Sequence, residues 1–185
     1  LDLNVKLRLR SELPNILKSF GASGLMVTHD PEEAMAICDK VAVMNDGFIH
    51  QNDNPLELIN KPKTLFVSSF ILGNNTLKTK VSDKHLNTCI GKLKLQNYPK
   101  NNKINFLSIS PKSISIKKSI NGKAKVIAKE FLGDFFIYKV SIGNDELRIR
   151  TSFEDKFSIG ERCEVYPKKK KEFFIYPGSY KNIII

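Results

Sequence analysis

The sequence contains no tryptophan, only three cysteines and only five arginines, and it has no long apolar run. A helix that spans a bilayer needs about 20 consecutive apolar residues, whereas the longest apolar runs here have the length of a strand. The sequence therefore argues against an integral membrane protein. The cysteines are odd in number and far apart, which fits neither a disulfide framework nor a metal-binding knuckle and predicts a reducing compartment.

The charge is concentrated in the second half of the chain. The net charge is +11, and a basic chain suggests nucleic acid or an anionic surface as a partner. Residues 1–72 carry 7 basic and 9 acidic groups, whereas residues 73–185 carry 23 and 10. Most of the basic groups are lysines in a chain rich in Asn and Ile, a composition typical of an AT-rich genome, and arginine is the better reader of phosphates and bases.

The first half shows alternating helix and strand signals. Apolar spacing from Leu9 to Phe20 predicts an amphipathic helix, and Pro14 inside it predicts a kink or two helices that meet near Leu13. The apolar run 25–28 predicts a buried parallel strand. After it, Asp30 and the following proline have the chemistry of a helix start, which predicts a helix over residues 31–38.

The predicted secondary structure changes from helices and a hairpin to strands alone near Gly73. Before it, residues 40–51 predict a β-hairpin, and two short helices are predicted from Asn54 and over 64–72. After it, short alternating segments separated by turn residues predict an all-β domain of the barrel or sandwich type. Because the change in pattern coincides with the change in charge, we predict two domains, 1–73 and 74–185.

His29 is the candidate functional residue. A histidine at the carboxyl end of a predicted parallel strand lies where open α/β sheets bind their ligands. The imidazole would then be free to donate a hydrogen bond to a phosphate or to position a water molecule. The alternative is a histidine satisfied by the local backbone. His50 and His85 lack candidate partners nearby and are expected at the surface, and no metal-ligating set is apparent.

An ordered series of segments carries a family resemblance. The segments are Leu1-Asp2, Val27-Thr28-His29-Asp30-Pro31-Glu32-Glu33-Ala34, residues 39–47, Asn54-Pro55-Leu56-Glu57-Leu58 and residues 66–73. Together they resemble the C-terminal part of the ATP-binding subunit of ABC importers. The resemblance implies that His29 is the switch histidine of the H-loop, near the γ-phosphate and the attacking water, and that Asp2 ends the D-loop at a dimer interface. Helix capping is the alternative role for Asp2.

The second half is similar to the TOBE accessory domain of importers for iron(III), sulfate, polyamines, molybdate and sugars. The segments that carry this likeness are Gly122-Lys123-Ala124-Lys125-Val126, Phe131-Leu132-Gly133, Tyr138-Lys139-Val140 and residues 160–165. The implied fold class is an α/β remnant of a P-loop ATPase domain followed by an all-β, OB-like barrel. Ser110-Pro111-Lys112 departs from the family's usual Arg-Pro-Glu, so contacts made by that motif cannot be carried over.

The sequence contains no Gly-x-x-x-x-Gly-Lys-Ser/Thr loop and no apolar strand that ends in Asp-Glu. In the family these elements precede the D-loop, so we expect a C-terminal fragment that alone neither binds nor hydrolyses ATP. The parent would be a homodimeric ATPase that uses ATP and Mg²⁺. It would lie at the cytoplasmic face of the plasma membrane and drive permease subunits fed by a periplasmic solute-binding protein. Iron(III) is the favoured solute, with polyamine, sulfate or sugar as alternatives.

Two rival functions concern the basic half. Lys168 to Lys171 lie close to Phe173, Phe174 and Tyr176, so a basic OB-type module that stacks single-stranded nucleic acid on exposed aromatics is one alternative. In a strand, two of these aromatics on one face would ordinarily belong to the core, so nucleic acid is not the expected partner. A small-anion sensor in the accessory domain is the third possibility, and it predicts a pocket with convergent donors.

Overall fold

The computed structural model describes residues 3–82, 85–95, 106–178 and 180–183. The chain divides into two compact units, residues 1–71 and residues 72–185. We call them the first unit and the second unit. Among the described residues, no helix combines the length and the apolar character needed to cross a membrane.

The first unit contains helices and one hairpin. The elements in residues 3–72 are α1 (Leu3–Ser19), α2 (Pro31–Ile37), β1 (Val41–Asn45), β2 (Phe48–Asp53), α3 (Pro55–Asn60) and α4 (Leu65–Leu72). The hairpin turns at Asp46 and Gly47, which both have positive φ, +49° and +79°. Two consecutive positive φ values give the turn a twist that matches antiparallel strands, so the predicted hairpin is confirmed. The predicted helices after residues 30, 54 and 64 are confirmed as well.

One alternative at Pro14 and one predicted strand are wrong for the first unit. Helix α1 runs as one element through Pro14, so of the two alternatives, two helices that meet near Leu13 are excluded. Proline removes only one backbone donor, and the turns on both sides of it keep the helical conformation. Residues 25–28 form no strand, and Leu25 and Val27 are 96% and 91% exposed. A strand needs a neighbour to satisfy its backbone groups, and the sheet described in this unit is the antiparallel pair β1–β2. The expected parallel α/β sheet is therefore not seen among the described residues.

The second unit is built from strands, as predicted. Its described strands are β3 (Asn75–Lys78), β4 (Lys80–Ser82), β5 (His85–Thr88), β6 (Gly91–Lys94), β7 (Phe106–Ile109), β8 (Ile114–Lys118), β9 (Ala124–Phe131), β10 (Phe135–Ile142), β11 (Asp145–Ser152), β12 (Arg162–Pro167), β13 (Glu172–Tyr176) and β14 (Tyr180–Ile183). A single 3₁₀ turn, Pro111–Ser113, is described between them. Asn101-Asn102, one of the turn signals in the sequence of this half, lies outside the described residues.

These strands form three antiparallel sheets, with the orders β11-β10-β9-β12-β8, β14-β13-β7-β3 and β4-β5-β6. Side chains from all three sheets meet in one apolar core. Its fully buried members include Leu77, Leu86, Leu107, Ile109, Ile114, Tyr138, Leu147, Ile149 and Ile175. The backbone of Cys163 passes close to Gly122, where an added Cβ would lie 2.2 Å from the carbonyl oxygen of Cys163. Only glycine fits there, because such a contact is far inside van der Waals distance.

Candidate functional site around His29

His29 lies in the short turn that precedes α2. Thr28, directly before it, uses one hydroxyl for two hydrogen bonds: Oγ1 accepts from the backbone N–H of Asp30 at 3.0 Å and donates to Oε2 of Glu33 at 3.0 Å. The Thr28 side chain thereby binds both Asp30, at the start of the first helical turn, and Glu33, at its end. The backbone of His29 is held between two anchored neighbours.

Asp30, directly after His29, caps the helix. Its Oδ1 accepts hydrogen bonds from the backbone N–H groups of Glu32 at 2.9 Å and Glu33 at 3.3 Å. Pro31 occupies the first helical position, where its missing N–H has no intrahelical partner to lose. The carboxylates of the first turn also oppose the positive end of the helix dipole. The helix start predicted at Asp30 and Pro31 is confirmed, and the carboxylate of Glu33 accepts a hydrogen bond from the hydroxyl of Thr28.

The imidazole of His29 is exposed. In the part of the chain that the structure describes, it has no hydrogen-bond partner, ion pair or ring contact. The alternative of a histidine satisfied by the local backbone is therefore not what the structure shows. A ring with both nitrogens available, on a backbone fixed from both sides, can donate a hydrogen bond to a phosphate oxygen or orient a water molecule.

Helix α1 contributes a third group to this turn. Nη2 of Arg10 lies 3.8 Å from Oδ2 of Asp30, and both side chains are half-buried. Sequence reasoning missed this contact, because it joins two elements whose packing no local pattern reveals. The scarcity of arginine was the available signal, since Arg10 is one of five in a chain that otherwise uses lysine.

The other candidate residues are not brought to this turn. Asp2 lies outside the described residues. Nδ1 of His50 is 3.3 Å from Oγ1 of Thr64 and its ring contacts Phe66, so it has a structural place in the first unit. His85 lies on β5 in the second unit. Among the described residues no group of three or more His, Cys, Asp or Glu is arranged to hold a metal ion.

The aromatics that follow the lysine run are not exposed. Phe173, Phe174 and Tyr176 lie on β13 and are at most 6% exposed. These rings cannot stack nucleic-acid bases, and the buried-strand explanation is correct. Lys168 to Lys171 form the connection between β12 and β13.

The departing motif Ser110-Pro111-Lys112 forms a capped turn. Oγ of Ser110 accepts a hydrogen bond from the backbone N–H of Lys112 at 3.3 Å, and the 3₁₀ turn follows. Lys112 is exposed. The segment therefore has a local structural role that needs neither an arginine nor a carboxylate.

Cys89 and Cys163 are poor nucleophiles. Burial, followed by the nearby carboxylate of Asp145, raises the pKa of Cys89 to about 12. Burial, with a contribution from Glu161, raises the pKa of Cys163 to about 11. Because the thiolate is the reactive form, neither residue is a candidate for nucleophilic catalysis at neutral pH.

Part of the chain is similar to importer subunits. A stretch of 78 residues is 47% identical to the spermidine/putrescine import ATP-binding protein PotA of Bacillus thuringiensis (strain Al Hakam), and the match covers 42% of this chain and 24% of that protein. The protein of the same name from Trichormus variabilis is 42% identical over 82 residues, which cover 44% of this chain and 22% of the relative.

An iron importer subunit matches about as well. The Fe(3+) ions import ATP-binding protein FbpC 2 of Rhizobium meliloti is 46% identical over 71 residues, 38% of this chain and 18% of the relative. The chain thus spans about a quarter or less of the length of these curated relatives. No protein-family model matches the chain. These relatives are all ATP-binding subunits of importers.

Proposed function

We propose that this chain is part of the ATP-binding subunit of an ABC importer and that His29 is its switch histidine. The observation that carries the proposal is the exposed imidazole of His29, which has no partner among the described residues. It lies on a turn whose two flanking residues, Thr28 and Asp30, are fixed by hydrogen bonds. Hydrolysis of a γ-phosphate depends on donors placed where negative charge develops. His29 supplies one such donor.

A second observation supports a larger ATPase domain around the first unit. Among the residues whose burial is described, its core holds four buried apolar residues, Val41, Val43, Leu58 and Val67. Among the described residues, eleven of the seventeen exposed large apolar side chains lie in this unit, including Leu25 and Val27. Exposed apolar surface on this scale is typical of a protein interface. We propose that residues 25–28 pair with a sheet of the nucleotide-binding core, which would place His29 at the end of a strand.

The residues present fit ATP only in part. His29 suits the γ-phosphate, but the sequence contains no phosphate-binding loop and no strand that ends in Asp-Glu. When bound, Mg²⁺ would neutralise charge on the phosphates. We propose that the phosphate loop and the magnesium ligands come from polypeptide outside these 185 residues, and that this chain alone neither binds nor hydrolyses ATP. Asp2 is proposed to lie at the interface with the second ATPase subunit.

The second unit is proposed to be a TOBE-type accessory domain. Its antiparallel sheets around a single apolar core support a compact β domain of this kind. We propose a homodimer at the cytoplasmic face of the membrane that drives permease subunits, with a periplasmic solute-binding protein delivering the solute. Iron(III) and polyamine are the proposed solutes, because identities of 46% and 47% to importer subunits of the two kinds do not separate them.

Substitution of His29 tests the proposal. The assay uses this chain together with the polypeptide that supplies the phosphate loop, in a preparation that hydrolyses ATP. H29A should lower ATP turnover by about 100-fold and leave ATP binding intact, whereas the matched variant H85Q should retain the wild-type rate. Wild-type turnover by H29A, or ATP hydrolysis by the 185-residue chain alone, would overturn the proposal.

A further inference from the structure

Arg10 reaches the turn that carries His29 from another helix. Asp30 divides its two oxygens: Oδ1 accepts the amide N–H groups at the start of α2, and Oδ2 faces Nη2 of Arg10 at 3.8 Å. One carboxylate oxygen of Asp30 therefore binds the start of α2, and the other faces α1. Since Asp30 directly follows His29, a displacement of the Asp30 carboxylate also displaces the backbone of His29.

The hydrogen-bonding capacity of Arg10 is not satisfied. Across the described residues, its Nε is a buried side-chain nitrogen without a hydrogen-bond partner. An arginine–carboxylate pair in its two-bond arrangement has N–O distances of about 2.7–2.9 Å, so the contact of 3.8 Å is about 1 Å too long. A small displacement of α1, or a rotation of the guanidinium, would bring Nε and Nη2 onto the carboxylate together.

The choice of arginine fits this arrangement. Lysine supplies 25 of the 30 basic residues of the chain, and it would place a single ammonium opposite Asp30. Arginine offers two parallel N–H groups in one plane. Arg8 provides a natural comparison, because it lies on the same helix, carries the same charge and is paired with Glu12 instead.

We propose that Arg10 is a positioning residue for His29 and acts through Asp30. The charge pair between Arg10 and Asp30 then couples helix α1 to the turn that carries His29. A shift of α1 changes the orientation of the imidazole. The functional meaning of this connection rests on the proposed role of His29. The contact itself can be measured without ATP.

Charge reversal tests the contact in two backgrounds. R10E places a carboxylate opposite Asp30, whereas in D30N the same change meets a neutral amide that still offers an oxygen to α2. We expect R10E to accelerate amide exchange at Glu32 and Glu33 roughly threefold to tenfold and to lower the NMR order parameter of the His29 ring. In the D30N background, R10E should change both readouts by less than twofold.

R8E is the matched control and should leave both readouts unchanged. If R10E unfolds the first unit, R10Q and R10K replace it: R10Q should show the acceleration in part, and R10K should recover more of the wild-type behaviour than R10Q does. Equal effects of R10E and R8E, or an equal effect of R10E with Asp30 and with D30N, would overturn the proposal. Because none of these measurements involves nucleotide, a wild-type ATPase rate in H29A would refute the proposed function and leave the Arg10 result standing.

Discussion

The side chain of Asn75 makes both hydrogen bonds that a neighbouring strand would make to the backbone of Arg148. Its Nδ2 donates to the carbonyl oxygen of Arg148 at 2.8 Å, and its Oδ1 accepts from the N–H of Arg148 at 2.7 Å. β11 is an edge of the five-stranded sheet and β3 is an edge of the four-stranded sheet. The carboxamide of Asn75 therefore joins the edge strands of two sheets. The two residues in this contact are 73 positions apart in sequence.

Replacing Asn75 should destabilise the second unit. In N75D the carboxylate cannot donate to the carbonyl of Arg148 and adds a charge at a buried position, so we expect a loss of about 2–4 kcal/mol in the free energy of unfolding. Urea unfolding followed by circular dichroism measures the loss. N144D makes the same chemical change on an exposed turn and should have little effect; equal losses in the two variants would contradict this explanation.

Tyr138 should hold the loop 153–157 through its hydroxyl. The fully buried phenol donates to the carbonyl oxygen of Asp155 and accepts from the N–H of Phe157, both at 3.0 Å. Y138F leaves the amide of Phe157 without its acceptor, and we expect a loss of about 1–3 kcal/mol in the free energy of unfolding. Y166F removes a hydroxyl from an exposed ring and serves as the control. Thermal unfolding gives the measurement, and an equal midpoint temperature for Y138F and the wild type would refute the role of the hydroxyl.

The hydroxyl of Thr28 should fix the turn at His29. T28V removes both hydrogen bonds of Oγ1 and nearly preserves the shape of the side chain, so we expect the start of α2 to lose about 1 kcal/mol of stability. T28S retains the hydroxyl and should behave like the wild type. Amide exchange at Asp30, whose N–H donates to Thr28, gives the measurement, and slow exchange in T28V would rule out this role.

Cys89 should make the second unit less stable at high pH. Its pKa is raised to about 12 in the folded chain, mainly by burial, from the ordinary value of 9.0. As the pH rises above the ordinary value, the unfolded chain loses the thiol proton while the folded chain keeps it, so the unfolded state is favoured. Stability should therefore fall as the pH rises from about 9 toward the folded pKa of about 12, and less steeply in C89A. Parallel pH curves for wild type and C89A would argue against this linkage.

Much of the fold was predictable because it depends on local signals. Asp30 and Asn54 accept amide hydrogen bonds at the starts of α2 and α3, as side chains of their type do wherever a helix begins. The turn at Asp46 and Gly47 likewise follows from residues that tolerate positive φ. The strand expected over residues 25–28 could not be judged this way, because a strand exists only with a neighbour, and periodicity does not show whether the neighbour is present.

The location of the candidate site was predictable from the sequence, but the contacts around His29 were not. The sequence pointed to His29 through its place before a capped helix, but it carried no sign of the hydrogen bonds of Thr28 or of the contact between Arg10 and Asp30. Such contacts depend on rotamers and on how α1 packs against α2, which short-range spacing does not encode.

The sequence by itself determined the helix caps, the hairpin, the change to β structure near residue 73 and the separation of charge, since each follows from composition or from interactions within a few residues. Only the tertiary structure decided that the aromatics of β13 are buried, that Asn75 joins two sheet edges and that Arg10 reaches Asp30. These depend on contacts between residues distant in sequence, whose energies are set by burial and by geometry that only the folded chain supplies.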